Sequence, residues 1–281
     1  MRIGIVSHYV RDSDGDTAKE RVDLSEEVVT DIAEFLEDEG VEYTFNKGTG
    51  RALGSEDAVA IDQMDADVVV TVGGDGTILR TIRQMRDPVP VLGINTGRVG
   101  FLAHVDPTDA VEAVAEVLEG FETERRERLG IELNGTKLPP GLNETVIVTS
   151  RPAKIMEFDV YHAGEHVESV RSDGIVTATP TGSTAYSMSA GGPLVNPSVE
   201  AFLVVPLAPF RMNTVPWVLD SEDETVIEPK RSEREAAVVI DGSHITNIEP
   251  GDEIRFTRAE KDALFVKTEK TFFDNVREKL L

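Results

Sequence analysis

Two stretches of this chain hold residue types suited to a phosphorylated ligand. The first is GGDGT, Gly73 to Thr77. Glycines permit positive φ and let a backbone approach a ligand closely. A turn that ends a strand and opens a helix also presents unpaired N–H groups and the positive end of a dipole, which together favour phosphate. Gly73, Gly74, Gly76 and Thr77 are therefore candidate phosphate contacts. Asp75 would repel an anion there. It makes chemical sense as a general base, or as a group holding Mg2+ near phosphates. As a purely structural residue it would cap the helix. The spacing matches neither the P-loop nor the GxGxxG dinucleotide fingerprint.

The second stretch, residues 171–193, reads RSDGIVTATPTGSTAYSMSAGGP. It is dense in glycine and in hydroxyls, including Thr184 and Ser189, and it reads as a poor core segment. It offers backbone N–H groups and hydroxyls to a polar ligand, and Tyr186 could stack on a base. The plain alternative is a polar Ω-type surface loop, with Asp173 closing an Asp-Gly turn. Four basic residues, Arg80, Arg98, Arg171 and Arg211, are available to face phosphates. His8, His104, His162, His166 and His244 show no metal-ligand spacing, since the HxxxH at 162–166 sits in an expected hairpin rather than a helix. No Cys is present, which excludes disulfides, thiolate metal sites and Cys nucleophiles.

The elements that must position these residues change character along the chain. Residues 2–7 form a short apolar run, and 67–72 (DVVVTV) is a β-branched run of the kind buried on both faces of a parallel sheet. Residues 22–39 carry apolar positions at helical spacing and stop at Gly40. Strands are expected at 41–46 and 89–95, and helices at 77–85 and 107–118. This alternation predicts a Rossmann-like α/β layered sheet. From 128 to 257 short β-like runs recur without a long helix, with a hairpin signal at Asp241-Gly242. A last strand at 264–267 and a helix at 271–281 resemble the first part in texture. The expected division is an α/β domain at 1–122, a mainly β domain at 123–256, and a segment at 257–281 returning to the first.

Charge narrows the function classes. The chain of 281 residues holds 52 Asp and Glu against 28 Lys and Arg, a formal net charge of −24, and only 9 of the basic residues are Lys. A nucleic-acid binder would carry a basic stripe, so none is expected as partner. The acidic residues spread along the whole chain, as suits a halophile's salt-rich cytoplasm. At about 1 M salt the Debye length is about 3 Å, and self-repulsion is largely screened. The longest apolar stretch, 201–210, contains two prolines and is too short to span a bilayer. The first residues, MRIGIVSHYV, show no signal-peptide pattern. The expectation is a cytoplasmic protein with no membrane partner.

GGDGT at 73–77, GINTGRVGFL at 93–102, Asn143-Glu144, DGIVTATPTGSTAYSMSAGGP at 173–193 and VVIDGSHITNIEPGD at 238–252 together resemble the NAD kinase family, in order and over most of the chain. GGDGT alone is shared with lipid kinases and, loosely, with phosphofructokinases; the 173–193 block is far more specific. The resemblance implies an NAD kinase-like fold. It implies transfer of a phosphoryl group from ATP, or polyphosphate in some members, to the 2′-hydroxyl of the adenosine ribose of NAD, with Mg2+ or another divalent cation. It also implies an active site between the domains and across a subunit contact, in a homodimer or homotetramer; with the acidic composition, the expected source is a halophilic archaeon.

Carried over by position, the resemblance makes Asp75 the base that activates the 2′-hydroxyl, with Gly73, Gly74, Gly76 and Thr77 cradling phosphates. Asn143 and Glu144 match the pair that binds adenine and ribose hydroxyls. Asp173 matches an acid near the substrate's ribose and carboxamide. Thr184, Ala185 and Tyr186 match the segment packed on the dinucleotide. Arg171 is a candidate phosphate partner, and Phe101 either lines the nicotinamide side or belongs to the core. Val215 stands where many members carry an Arg before Pro, so contacts from 207–219 are left unassigned. The N-terminal GIVSHY lacks an obvious basic residue after the first strand, so no ATP contact is assigned there. Two other readings compete. A lipid kinase sharing GGDGT would be repelled by anionic headgroups and would lack the 173–193 block. A non-catalytic dinucleotide-binding sensor would be favoured by an altered Asp75 or Asn143, and both are present.

Overall fold

The computed structural model describes residues 1–7, 16–97, 100–150, 155–230 and 236–280, and of 16–22 the backbone alone. His8 and Arg98 lie outside these residues. The chain divides into two units, residues 1–125 with 263–281, and residues 126–262.

The first unit begins with β1 (Arg2–Ser7), α1 (Asp16–Asp38), β2 (Glu42–Asn46), α2 (Lys47–Leu53), β3 (Ala58–Val59), β4 (Val68–Gly73), α3 (Asp75–Gln84), β5 (Val91–Asn95), α4 (Ala110–Glu119) and β6 (Thr123–Arg126). Strands β1 to β5 pair in parallel, in the order β3-β2-β1-β4-β5. Burial on both faces explains the β-branched run of β4. Val68, Val70 and Val72 pack with Ile3, Ile5 and α1 on one side. Val69 packs with Val6 and Ile61 on the other. The chain leaves β1 to one side for β2 and β3, then crosses over to β4. The gap between β1 and β4 is thus the switch point, where open α/β sheets bind ligands at the carboxyl ends of their strands. GGDGT sits at that end of β4.

Helix α2 has no apolar period in KGTGRAL. It forms because Asn46 accepts the Thr49 N–H as N-cap and Gly54, at φ 71°, ends it in the left-handed region. Gly50 is required inside it, since a Cβ there would lie 2.3 Å from Ala58 Cβ.

The second unit is almost entirely β. It runs β7 (Leu129–Leu133), β8 (Thr136–Gly141), β9 (Glu144–Thr149), β10 (Met156–His162), β11 (Glu165–Ser172), β12 (Gly174–Ala178), α5 (Tyr186–Ser189), β13 (Ala201–Leu207), β14 (Trp217–Asp220), β15 (Thr225–Pro229), β16 (Ala236–Ile240), β17 (Ser243–Ile248) and β18 (Ile254–Arg258). Two six-stranded sheets result, β11-β10-β15-β18-β7-β8 and β14-β13-β12-β9-β16-β17. One apolar core joins them, with Phe158, Ile227 and Phe256 from the first sheet and Ile175, Phe202 and Val238 from the second. The other face of the second sheet is apolar too, and Ala190 and Val195 pack against its Val146, Val176 and Val205. Residues 181–195 thus cover a sheet rather than forming an Ω loop, and Thr181, Gly182, Ser183 and Thr184 are buried. Ser183 Oγ bridges the N–H and carbonyl of Val195, each at 3.1 Å, whereas the buried Ser187 Oγ has no partner.

The chain then returns to the first unit as β19 (Ala263–Val266) and α6 (Phe272–Leu280). Strand β19 lies between β5 and β6 in the first sheet. The divisions after Arg125 and Asp262 differ from those read at 122 and 256, because β6 completes the first sheet and β18 belongs to the second unit. Among the described residues, no helix is long and apolar enough to cross a membrane.

Candidate functional site

In the first unit, β4 ends in the glycine turn and α3 starts at Asp75. Gly73 is needed by the turn itself, since a Cβ there would lie 2.3 Å from Thr77 Oγ1. Gly74 and Gly76 are different. A Cβ at either would meet nothing within 4 Å. Gly76 stands in the first turn of a helix, and glycine inside a helix costs roughly 1 kcal/mol relative to Ala. Among the described residues nothing requires it, and its missing side chain leaves open space beside the first turn. Gly74 is the N-cap and has no side chain to cap that turn, and a helix start of this kind is physically favourable for an anion. Thr77 is turned inward. It is buried, and its N–H donates to the Gly74 carbonyl at 2.9 Å.

Asp75 does not cap the helix. Its carboxylate reaches across to residues 101–103. Oδ2 accepts the Phe101 N–H at 2.7 Å, and Oδ1 accepts those of Leu102 and Ala103 at 3.0 and 3.2 Å. Gly100 makes this approach possible, since a Cβ there would lie 2.5 Å from Asp75 Oδ1. A carboxylate offers about four lone-pair directions. Three are occupied, and one remains for a ligand. Phe101 is half-buried, and the Lys279 ammonium lies 5.4 Å from its ring centroid. His104 steadies the same loop through the Phe101 carbonyl at 2.9 Å and Thr268 Oγ1 at 3.2 Å. Arg80 is half-buried on α3, with its pKa lowered by burial and then by Arg83.

In the second unit, Asn143 and Glu144 form the turn that opens β9. Their backbone is clamped by Asp241. The N–H groups of Leu142, Asn143 and Glu144 donate to its carboxylate at 2.8, 2.8 and 3.2 Å. Asp241 and Gly242 are both left-handed, at φ 45° and 73°, as a tight β16–β17 hairpin needs. Each unit therefore uses the same device, a carboxylate accepting three consecutive amides of the segment it orders. The 179–186 segment closes on the turn from another side. Thr179 N–H donates to the Asn143 carbonyl at 2.9 Å. Gly182 lies so close that a Cβ would be 2.0 Å from that same oxygen. The Glu144 carboxylate accepts the Tyr186 backbone N–H.

Two atoms in this packed turn have no partner. Asn143 Oδ1 and Glu144 Oε2 are buried and accept no hydrogen bond, although both residues are only 7% exposed. Leaving a buried polar group unsatisfied costs about 1–3 kcal/mol. The Glu144 carboxyl is pushed up to about 7, chiefly by burial and then by Asp241, while the Tyr186 amide pulls it down. Burial also raises Asp241, opposed by its three amides and by Arg128. Arg128 is itself lowered by burial.

The remaining expected residues lie elsewhere in the second unit, with Tyr186 alone bonded to Glu144 through its backbone N–H. Thr184 is buried, Ala185 half-buried, and Tyr186 is 47% exposed at the start of α5. Ser189 is exposed at the end of α5. Arg171 is exposed on β11, its guanidinium 5.0 Å over the Phe210 ring. Asp173 marks the crossing from β11 to β12, where its N–H donates to Leu207 at 2.9 Å and its carbonyl accepts Thr149 at 3.0 Å. The sequence offered Asp241 only as a turn residue and gave no signal for Arg128 or Lys279.

Comparison with known proteins follows the same division. A model of the ATP-NAD kinase N-terminal domain matches residues 4–121, and one of the ATP-NAD kinase C-terminal domain matches 142–268. An NAD kinase of Methanothermobacter thermautotrophicus is 44% identical, over 100% of this chain and 96% of that protein. One of Methanosarcina mazei is 39% identical, over 99% of this chain and 93% of that one. Among solved structures, an Archaeoglobus fulgidus NAD kinase in complex with ATP superposes with TM-score 0.79 at 32% identity, covering 99% of each chain. Yeast NADH kinase complexed with NADH shares the fold, with TM-score 0.85 at 21% identity over 99% of this chain and 87% of that one.

Proposed function

The chain belongs to the NAD kinase family, and from that premise we propose how its residues perform the reaction. It is a kinase that phosphorylates NAD with ATP. The acceptor oxygen is the 2′-hydroxyl of the adenosine ribose. That oxygen attacks the γ-phosphorus, the bond from phosphorus to the ADP oxygen breaks, and the hydroxyl proton leaves. The products are NADP and ADP.

The observation that carries this reading is the pair of buried, unpartnered acceptors, Asn143 Oδ1 and Glu144 Oε2. Both want donors, and adenosine supplies them through its amino group and ribose hydroxyls. The dinucleotide supplies donors to acceptors that no protein group reaches, and Tyr186 offers a ring for stacking. In the first unit, the amides above Gly74 and Gly76 receive phosphate oxygens. Asp75 takes the hydroxyl proton on its one remaining lone pair. A loose phosphoryl-transfer transition state asks for positioning and charge stabilisation rather than covalent help, and both centres supply rigid backbone for that purpose.

We propose that the divalent cation, Mg2+ in the first instance, is carried on the donor's phosphates, where Mg2+ is commonly bound. Its chemistry there is neutralisation of phosphate charge.

We also propose a salt-adapted homo-oligomer. Residues 207–219 carry one charge, Arg211, in a chain of net charge −24. They expose Phe210, Met212, Val215, Trp217 and Val218 beside the edge strand β14. A second copy can approach there with the least repulsion.

The test of the reaction reading is Asp75→Asn. It should lower turnover by about 10²- to 10⁴-fold, the usual worth of a general base. Asn keeps one oxygen for the 101–103 amides, so part of the loss comes through that loop, and the NAD+ dissociation constant should move far less than turnover does. A variant that kept most of its turnover would exclude Asp75 as the proton acceptor.

A further inference from the structure

The C-terminal helix α6 begins with a reciprocal cap. Thr271 Oγ1 accepts the Asp274 N–H, and Asp274 Oδ2 accepts the Thr271 N–H. Asn275 is buried, and Lys279 lies four residues further on the same helical face. The Lys279 ammonium donates to the Gly100 carbonyl oxygen. It also stands over the Phe101 ring. Gly100 C=O and Phe101 N–H belong to one peptide unit, and that N–H donates to Asp75 Oδ2 at 2.7 Å. One rigid peptide thus joins an ammonium to a carboxylate, its oxygen facing the cation and its hydrogen facing the anion. Chains of this kind polarise the intervening peptide and strengthen both bonds.

We propose that Lys279 is a positioning residue for the kinase reaction, holding the Asp75 carboxylate in its productive orientation through the Gly100–Phe101 peptide. The proposal rests on Asp75 as proton acceptor. Lys279 fixes the carbonyl end of the peptide, and the peptide fixes Oδ2, the oxygen with the free lone pair. The charges around Lys279 fit this duty. Asp75, Asp106 and Glu278 attract it, Lys270 opposes them, and burial is the largest influence on its titration. The helix in which it sits is separated from the loop it serves by 179 residues of sequence, so the return of the chain to the first unit acquires a purpose beyond completing a sheet.

The experiment compares wild type, Lys279→Met, Asp75→Asn and the double variant in NADP+ formation, with kcat and both KM values measured and folding checked by thermal unfolding. Met keeps the stem against Phe101 and removes the charge. The expected result is a kcat lower by about tenfold for Lys279→Met, KM for ATP within about threefold, and a double variant no slower than Asp75→Asn alone, the non-additivity of groups acting as one unit. Lys279→Arg, which keeps a cationic donor, should recover part of the loss. An undiminished Lys279 effect in the Asp75→Asn background, or a raised KM for ATP with kcat unchanged, would overturn the proposal in favour of direct phosphate binding. Full turnover in Lys279→Met overturns it alone. Full turnover in Asp75→Asn overturns the base reading and the proposal together. Should Lys279→Met fail to fold, Lys279→Gln carries the same comparison.

Discussion

Replacing Glu144 with Gln should make the protein more stable and bind dinucleotide worse. The carboxyl is buried and titrates at about 7, against 4.5 for an ordinary Glu. Between those pH values the folded protein holds a proton that the unfolded chain has released. Stability from this group therefore falls as pH rises from about 4.5 to about 7, and the full penalty stands above that. At 1.36 kcal/mol per pH unit the penalty is roughly 3 kcal/mol. Gln removes the charge and keeps an oxygen for the Tyr186 N–H. At about pH 8, Glu144→Gln should unfold higher by up to about 3 kcal/mol, or about 5–10 °C, and near pH 4 the two proteins should coincide. A ligand hydroxyl donating to the carboxylate is worth about 1.5–3 kcal/mol, so the NAD+ dissociation constant should rise at least about tenfold at the higher pH. Thermal unfolding across pH and calorimetric titration with NAD+ measure both. An equal or lower midpoint at high pH would mean that Glu144 carries no buried charge. An unchanged affinity would mean that its free oxygen does not face the dinucleotide.

Gly76→Ala should also separate stability from function. It gains up to about 1 kcal/mol by relieving a glycine in a helix, while its methyl group fills the space above the first-turn amides and raises KM for ATP by about tenfold or more. An unchanged KM would show that phosphate does not use that space. In KCl, the unfolding midpoint should rise from about 0.1 M to about 3 M as the repulsion of −24 charges is screened, and light scattering at the higher salt should give a multiple of the chain mass. A flat midpoint would refute salt adaptation, and a monomer mass would refute the proposed association.

Elements whose cause is local were legible in the sequence. The Val run of β4, the glycine turn after it, the helical spacing of α1 and the Asp-Gly hairpin each announce themselves within a few residues. What stayed hidden depends on distance along the chain. Asp241 clamps amides 97 to 99 residues away, and Lys279 reaches back 179. No period or spacing records such pairs. Helix α2 was invisible because its cap and stop, rather than apolar spacing, define it. The hydroxyl-rich 181–184 turn looked unsuited to a core because its internal bonds, Ser183 to Val195 among them, belong to the folded state. Of the site, the sequence showed Asp75, Asn143 and Glu144 as residues of interest. It could not show that Asp75 would be wrapped by three amides, or that one oxygen of each residue in the pair would be left without a donor.

The most direct test is the position of the phosphate in the product. Purified protein is incubated in molar KCl with Mg2+, NAD+ and ATP, and the product is examined by phosphorus NMR and by reduction with an NADP+-specific dehydrogenase. The account requires one new monoester on the adenosine 2′-oxygen, formed in step with ADP and slowed about 10²- to 10⁴-fold by Asp75→Asn. Hydrolysis of ATP without NADP+, or a phosphate on any other oxygen, would contradict it.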